Sequence, residues 1–307
     1  MPASASHAFS PDPRNAGVLV SIDGKLLPRE EAKVSVFDAG FILGDGVWEG
    51  LRLVNGRLAF LDRHLARLCE GAKALDLEIG LTPAQLTQRL YELVAANGMT
   101  DGVHIRLMVT RGRKATPHQD PRFVVSPATI AIVAEWKDPT ETAKQTGLRL
   151  ASVAIRRGAP DVQDPGLNSH SKLNCIAACI QATKAGADEA LMLDPHGFVA
   201  TCNSTHFFIV RGTALWTSTG RYCLKGITRG LLLELARRFG MTAEERDFTL
   251  TEVYSADEAF VTGTFGGLTP VVEVDGRRIG DGRPGAITQR LAQWHARAVA
   301  KDCGLVA

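Results

Sequence analysis

The chain lacks the ligand spacings that mark a metal site. Its six cysteines include no Cys-x-x-Cys and no partnered histidine pair, which excludes the common structural zinc sites; no metal is expected. Cys175 and Cys179 stand four apart on a helical pattern and read as core thiols in a reducing cytosol, so the expected location is cytoplasmic. No apolar run approaches the ~20 residues of a membrane span, so no membrane partner is expected. An excess of charge of one sign is missing too: 35 basic and 33 acidic residues leave a net charge of +2. That balance gives no footprint for nucleic acid or an anionic surface. There is no Gly-x-x-x-x-Gly-Lys-[Ser/Thr] loop, no internal repeat and no low-complexity segment. Residues 1–16 are small and polar with no apolar h-region, and read as a disordered tail rather than a secretory signal.

What is present is an ordinary globular balance. The 307 residues are 45% hydrophobic and 22% charged, enough for a large core in two domains. Gly17 to Ile22 followed by Asp23-Gly24-Lys25 reads as strand and hairpin turn. Leu61 to Leu77 has helical spacing. Thr82-Pro83 opens a second helix through Ala96, closed by Asn97-Gly98. Strands follow at His104 to Thr110 and Thr129 to Ala134. Residues 137–147 are polar, carry Pro139 and show no apolar period, so they read as the linker between a domain over 17–136 and one over 148–307. The second half expects strands at Leu148 to Ile155, Glu189 to Leu193, His206 to Val210, Glu258 to Thr262 and Val271 to Val274. Helices are expected from about Ser169 to Lys184 and from about Gly230 to Phe239. Strands and helices mix without regular βαβ alternation, which argues for an α+β fold.

One fragment points to an anion. Leu224-Lys225-Gly226-Ile227-Thr228-Arg229 precedes a long apolar-periodic run that starts at Leu231. Glycine, a hydroxyl and an arginine at a helix start make an anion cradle, because the first N–H groups have no intrahelical partner and the dipole favours negative charge there. The plainer reading is a helix entrance with Thr228 as its cap.

Three more segments, in order, join this fragment in resembling one family. They are Val36-Phe37-Asp38-Ala39-Gly40 through Gly44-Asp45-Gly46-Val47-Trp48-Glu49-Gly50-Leu51-Arg52, then Ala187-Asp188-Glu189-Ala190-Leu191-Met192-Leu193-Asp194, then Phe260-Val261-Thr262-Gly263-Thr264-Phe265-Gly266-Gly267. Together they resemble the fold-type IV pyridoxal-phosphate enzymes, the class IV aminotransferases. That group holds branched-chain and D-amino acid aminotransferases and aminodeoxychorismate lyase. The likeness runs from about Gly17 to the C-terminus. It implies an N-terminal α/β sandwich with a C-terminal barrel-like domain, pyridoxal 5'-phosphate as cofactor, and a homodimer. It also implies amino-group transfer between a small amino acid or amine and an α-keto acid.

The resemblance also implies a site. Arg52, the amides of Ile227 and Thr228, the Thr228 hydroxyl, Gly263 and Thr264 would hold the phosphate. A lysine would anchor the cofactor covalently. The family has that lysine after an Asp-Pro-x-[Ile/Val] stretch. Here the stretch is Asp164-Pro165-Gly166-Leu167 and Asn168 follows it; counting back from Ala187 also lands on Asn168. The nearby lysine is Lys172, one turn on in a helix that starts near Ser169. There it shares a face with Asn168 and a stripe with Ile176 and Cys179. The family also places a glutamate against the cofactor's ring nitrogen, and here that position is Thr201, whose hydroxyl cannot balance a positive ring. For the substrate carboxylate, Arg111 and His118 stand in a basic loop like that of D-amino acid aminotransferases. Thr116 falls where that loop has arginine, and Arg113 and Lys114 are possible substitutes. Transaminase, lyase and a divergent binder of pyridoxal phosphate or another phosphate ligand all remain open on the sequence.

Overall fold

The computed structural model describes residues 8–306. They divide into two compact units. One holds Pro11–Asp138, Leu167–Lys172 and 300–306; the other holds 8–10, Pro139–Gly166 and Leu173–Val299.

The first unit is built on a six-stranded antiparallel sheet. Its strands are β1 (Leu19–Ile22), β2 (Lys25–Pro28), β3 (Gly46–Val54), β4 (Arg57–Leu58), β5 (Val103–Thr110) and β6 (Thr129–Trp136), in the order β2-β1-β6-β5-β3-β4. The β1–β2 turn takes Asp23 and Gly24 at φ 51 and 84, the left-handed pair that matches hairpin twist. Its helices are α1 (Ala39–Leu43), α2 (Leu61–Ala74) and α3 (Pro83–Ala96). α3 begins where its local signals say: Thr82 and Gln85 form a reciprocal capping box around Pro83, satisfying two orphan donors. In β3 the period of two sorts the side chains. Val47, Leu51 and Leu53 enter a core with Leu65 and Leu68 of α2 and Leu86, Leu90 and Leu93 of α3. Trp48, Gly50 and Arg52 therefore face the other way. Glu49 points into the core, fully buried, where it pairs with His64 at 2.7 Å and with Arg67 at 2.6 Å.

The second unit holds a nine-stranded mixed sheet. Its strands are β7 (Leu148–Ser152), β8 (Glu189–Leu193), β9 (Val199–Cys202), β10 (His206–Arg211), β11 (Ala214–Thr217), β12 (Ala243–Glu245), β13 (Glu258–Gly263), β14 (Gly267–Val274) and β15 (Arg277–Arg278). The path runs β12-β11-β10-β13-β14-β7-β8-β9, with β15 on β14. β7 lies parallel to both of its neighbours. Its helices are α4 (Glu141–Thr146), α5 (Pro160–Gln163), α6 (Leu173–Lys184), α7 (Ile227–Arg238), α8 (Leu250–Tyr254) and α9 (Ala286–Asp302), the last belonging here through Val299. Both faces of β10 are covered. Phe207 and Ile209 join one core with Val261 and Phe248, while Phe208 and Val210 join another with Phe260, Leu232 and Leu291. That explains why 206–210 is a continuous apolar run after its histidine. The α+β class holds. Among the described residues no helix is long and apolar enough to cross a membrane.

Several local expectations need correction. Of the expected tail, 1–7 lie outside the described residues, but 8–16 are fastened. The Thr140 amide donates to the Ala8 carbonyl at 3.2 Å. Pro13–Gly17 forms a 3-10 turn capped by Asp12. Asn15 exchanges hydrogen bonds of 2.8 and 2.9 Å with the Trp136 backbone. Proline and an aspartate cap organise a segment that has little to bury. The expected linker 137–147 contains α4, whose one buried residue, Ala143, joins the core of the second unit. A single apolar residue leaves no period to read. α6 starts at Leu173, not near Ser169. Residues 168–170 run instead along β3, with the Trp48 amide donating to Asn168 and the His170 amide to Gly46, both at 3.0 Å. Lys172 thus precedes the helix and shares no stripe with Ile176 and Cys179. α7 starts at Ile227, so Thr228 sits inside the first turn and Gly226 holds the cap position. Cys175 and Cys179 are half-buried rather than core, and all six thiols are free.

Candidate active site

In the first unit the outward face of β3 carries a cationic group around one indole. The Trp48 Nε1–H donates to the Ser169 carbonyl at 3.1 Å, and the Asn168 side-chain amide donates to the Trp48 carbonyl at 2.6 Å. With these bonds holding 168–170, the Lys172 Nζ comes to 3.3 Å from the Asn168 Oδ1. It also lies 5.5 Å from the Trp48 ring centre. The two positions that compete for the anchoring lysine are thus in contact. The Arg106 guanidinium stacks 4.0 Å over the same ring, a favourable cation–π distance. It forms no hydrogen bond among the described residues; its side chain stays exposed, and partial desolvation lowers its pKa without discharging it. His170, beside Lys172, is pulled down in pKa by burial and then by Arg106, so it stays neutral near pH 7. Its Nε2 is buried without a partner.

The other basic candidates of this unit are already engaged. Arg52 donates to the Lys137 carbonyl and, at 2.6 Å, to Asp138. Arg111 binds both oxygens of Asp45, at 2.6 and 3.1 Å, and the carbonyls of Leu75 and Asp76, both at 2.7 Å. That makes it a clamp between the start of β3 and the end of α2. His118 is exposed; its Nδ1 accepts from the Asp120 amide at 3.1 Å and its ring stands edge-on to Phe123. Arg111 and His118 thus have separate partners and are not brought together. Arg113 is exposed, while Lys114 is buried and donates to the Asp120 carbonyl at 3.0 Å, bracing its own loop.

In the second unit the α7 N-terminus offers its first amides, Ile227, Thr228 and Arg229, with no side-chain cap. Orphan amides of this kind, with the dipole behind them, suit a phosphate. A Cβ at the Gly226 cap position would fall 2.2 Å from the His206 Nε2, so a larger residue there would force the imidazole or the helix start to shift. His206 lies opposite Thr262 in the β10–β13 register, and the Thr262 Oγ1 is buried without a partner. Thr228 is buried as well, and Arg229 is locked to the Ser218 carbonyl at 2.6 Å and to Glu245 at 2.7 Å. Glu245 offsets the cost of a cation in a helix's first turn. Thr264 opens the three-residue turn between β13 and β14, just after Gly263 pairs with Gly267.

Thr201 is buried at the middle of β9, and its hydroxyl donates to the Thr205 carbonyl at 2.8 Å. The turn between them closes on Glu189. One carboxylate oxygen of Glu189 accepts from the Ser204 amide at 3.1 Å, the Ser204 hydroxyl at 2.6 Å and the Thr205 hydroxyl at 2.9 Å.

A family model for class IV amino-transferases matches residues 46–274. The chain belongs to the class IV aminotransferase family. It is 41% identical over 281 residues to branched-chain-amino-acid aminotransferase-like protein 2 of Arabidopsis thaliana, covering 92% of this chain and 50% of that one. The chain therefore spans about half the length of that relative. It is 39% identical over 275 residues to a putative branched-chain-amino-acid aminotransferase of Methanocaldococcus jannaschii, covering 89% and 94%. Among solved structures, the branched-chain amino acid aminotransferase of Thermobaculum terrenum in its PLP form superposes with a TM-score of 0.83. That pair shares 26% identity and covers 94% of this chain and 95% of the other. Within this class IV chain, sequence reasoning missed Arg106 and Glu189. Both left a signal: Arg106 is a charge at an outward position of an alternating strand, and Glu189 is a carboxylate opening a strand otherwise apolar.

Proposed function

We propose that the protein is a pyridoxal-phosphate-dependent aminotransferase. It would move an amino group between a small amino acid, of branched-chain or D-amino acid type, or an amine, and an α-keto acid. Family membership supports the class. The observation that carries the reading is the Lys172 amine, held 3.3 Å from the Asn168 Oδ1 on the face of Trp48, beside an arginine with open donors.

The residues present fit the cofactor. An uncapped helix start with glycine closely approached by His206 at its cap position fits a phosphate, and the orphaned Thr262 hydroxyl lies on the strand paired with that histidine's. In this reading Ile227 and Thr228 supply amides, Thr228 a hydroxyl, and Gly263 and Thr264 a turn the phosphate can approach closely. Arg52 adds positive charge while Asp138 fixes its plane. Bound through a lysine, the cofactor supplies an electron sink for the bonds at the amino acid's α-carbon. Lys172 is the anchoring amine and, once released, the base that carries the α-proton. Asn168 orients the Nζ. Arg106 takes the substrate carboxylate, since a guanidinium with free parallel donors matches two carboxylate oxygens. Arg111, engaged by Asp45 and the end of α2, and His118, engaged by the Asp120 amide, then brace their own segments rather than grip substrate.

We also infer a homodimer in the cytosol. Exposed Val36, Phe37, Phe41 and Leu43 support the first, and six free thiols support a reducing compartment.

Loading the full chain with pyridoxal phosphate, reducing it with borohydride and mapping the peptides tests the reading. Mass added at Lys172 and turnover that depends on a keto acid are expected. Ammonia release without a keto acid would make it a lyase. Absence of cofactor uptake would leave a binder of another phosphate ligand. Comparing L-branched-chain amino acids with D-alanine fixes the substrate type.

A further inference from the structure

We propose that Thr201 meets the cofactor's ring nitrogen as a hydrogen-bond acceptor only, and that Glu189 is the positioning residue that fixes this direction. The inference rests on the functional reading above. A threonine hydroxyl has one proton and two lone pairs. In Thr201 the proton is committed: it points to the Thr205 carbonyl at 2.8 Å, and both residues are buried. What the oxygen has left to offer is lone pairs.

The Thr205 carbonyl is itself fixed. It also accepts the Cys202 amide at 3.0 Å, closing the turn between β9 and β10. The Thr205 hydroxyl donates to Glu189 at 2.9 Å, and Ser204 adds its amide and hydroxyl to the same oxygen. Three donors on one carboxylate oxygen hold the turn from beneath. Rotating the Thr201 hydroxyl the other way would leave the Thr205 carbonyl with the Cys202 amide as its one remaining donor, so one buried lone pair would lose its partner. The charge of Glu189 is felt locally: after burial itself, it helps push the Cys202 thiol well up in pKa. Its second oxygen is buried without a partner.

A lone-pair donor discriminates between ring states. A protonated ring nitrogen gains a hydrogen bond from it, whereas an unprotonated one meets lone pair against lone pair. The threonine therefore favours the protonated ring, through a neutral contact weaker than a carboxylate would give. The proton comes from solvent and no covalent bond in the protein changes.

Nitrogen NMR of the full chain loaded with ring-15N pyridoxal phosphate tests this, with pH as the variable. The wild type is expected to show a protonated ring nitrogen at neutral pH. Thr201→Val, equal in shape but without an acceptor, should lower the pH of deprotonation by about one unit. Thr201→Ser should restore it. Glu189→Gln keeps an acceptor oxygen beneath Ser204 and Thr205 and should titrate like wild type, whereas Glu189→Ala should titrate like Thr201→Val. An unprotonated wild-type ring, or no change in Thr201→Val, overturns the Thr201 assignment. A Gln variant that behaves like the Ala variant overturns positioning in favour of charge. In the cofactor-free chain, the Thr201 hydroxyl proton should exchange slowly with water in proton NMR and vanish in Thr201→Val. A fast-exchanging proton there overturns the inference whatever the cofactor does. A chain that takes up no labelled cofactor at Lys172 overturns the functional reading, while this last measurement still reports the direction of the hydroxyl.

Discussion

At the scale of single residues, the decisive contrast is between charges that are spent and charges that are open. Arg111 spends its guanidinium on Asp45 and two carbonyls, while Arg106 lies on Trp48 with its donors unclaimed among the described residues. Arg106→Met keeps the stacking length and removes the donors. It is expected to raise KM for the amino acid about 10- to 100-fold, matching ~1.5–3 kcal/mol for a hydrogen bond to a charged group. Arg111→Met should instead lower stability and leave KM within about threefold, which steady-state kinetics beside thermal melts would separate. The buried Glu49 gives a pH prediction. Burial pushes its carboxyl up, but hydrogen bonds from His64 and Arg67 together outweigh burial and bring the pKa below the ordinary value of 4.5. A lowered folded pKa means the stabilisation is fully present above that ordinary value. It is lost as pH falls through the folded pKa. Glu49→Gln removes one partner of a buried ionic group and should cost about 3–5 kcal/mol. The variant should also flatten the acid limb of stability, read by urea melts between pH 7 and 3.

At the scale of elements, the legible parts are those whose signals are local. α3 is written in Thr82, Pro83 and Gln85, and the facing of β3 is written in its alternation. The start of α6 was not legible, because the bonds that hold 168–170 extended come from β3, some 120 residues away in the chain. Nothing in Ser169-His170-Ser171-Lys172 itself opposes a helix. The pairing of Lys172 with Asn168 was nonetheless suggested by their spacing, and it survives the change from helix to extended chain, since side chains four apart can still meet where the backbone turns toward a helix. The hydrogen-bond direction of Thr201 could not be read at all, being set by a carbonyl and a distant carboxylate. α7 offers the element-level test. Gly226→Ala places a Cβ against the His206 imidazole at 2.2 Å, closer than any real contact, so the imidazole or the helix start must move. Overpacking of this kind costs about 1–3 kcal/mol, and here the displaced groups are the phosphate-facing amides. Affinity for pyridoxal phosphate should fall at least about tenfold in equilibrium dialysis. Affinity equal to wild type would remove the α7 N-terminus from the site.

At the scale of the whole molecule, each unit has a well-buried core, so what remains on the surface is informative. Within 34–43 the first unit exposes five large apolar side chains, with Phe41 at 70%. On α6 of the second unit, Leu173, Ile176 and Ile180 lie at helical spacing and are all exposed, Leu173 at 76%. Scattered apolar residues need no explanation, but two contiguous groups do. In a chain with net charge of only +2, little electrostatic repulsion opposes self-association. If the chain forms the homodimer proposed above, a two-fold contact would let one patch cover its own equivalent. Light scattering should give twice the chain mass of 33.0 kDa, and the melting temperature should rise with protein concentration, as linkage to association requires. Phe41→Glu with Ile176→Glu places charges in both patches and should yield a monomer that keeps its far-ultraviolet circular dichroism. A wild-type chain that stays at 33.0 kDa at micromolar concentration, with a melt independent of concentration, would show that both patches serve something other than a second copy.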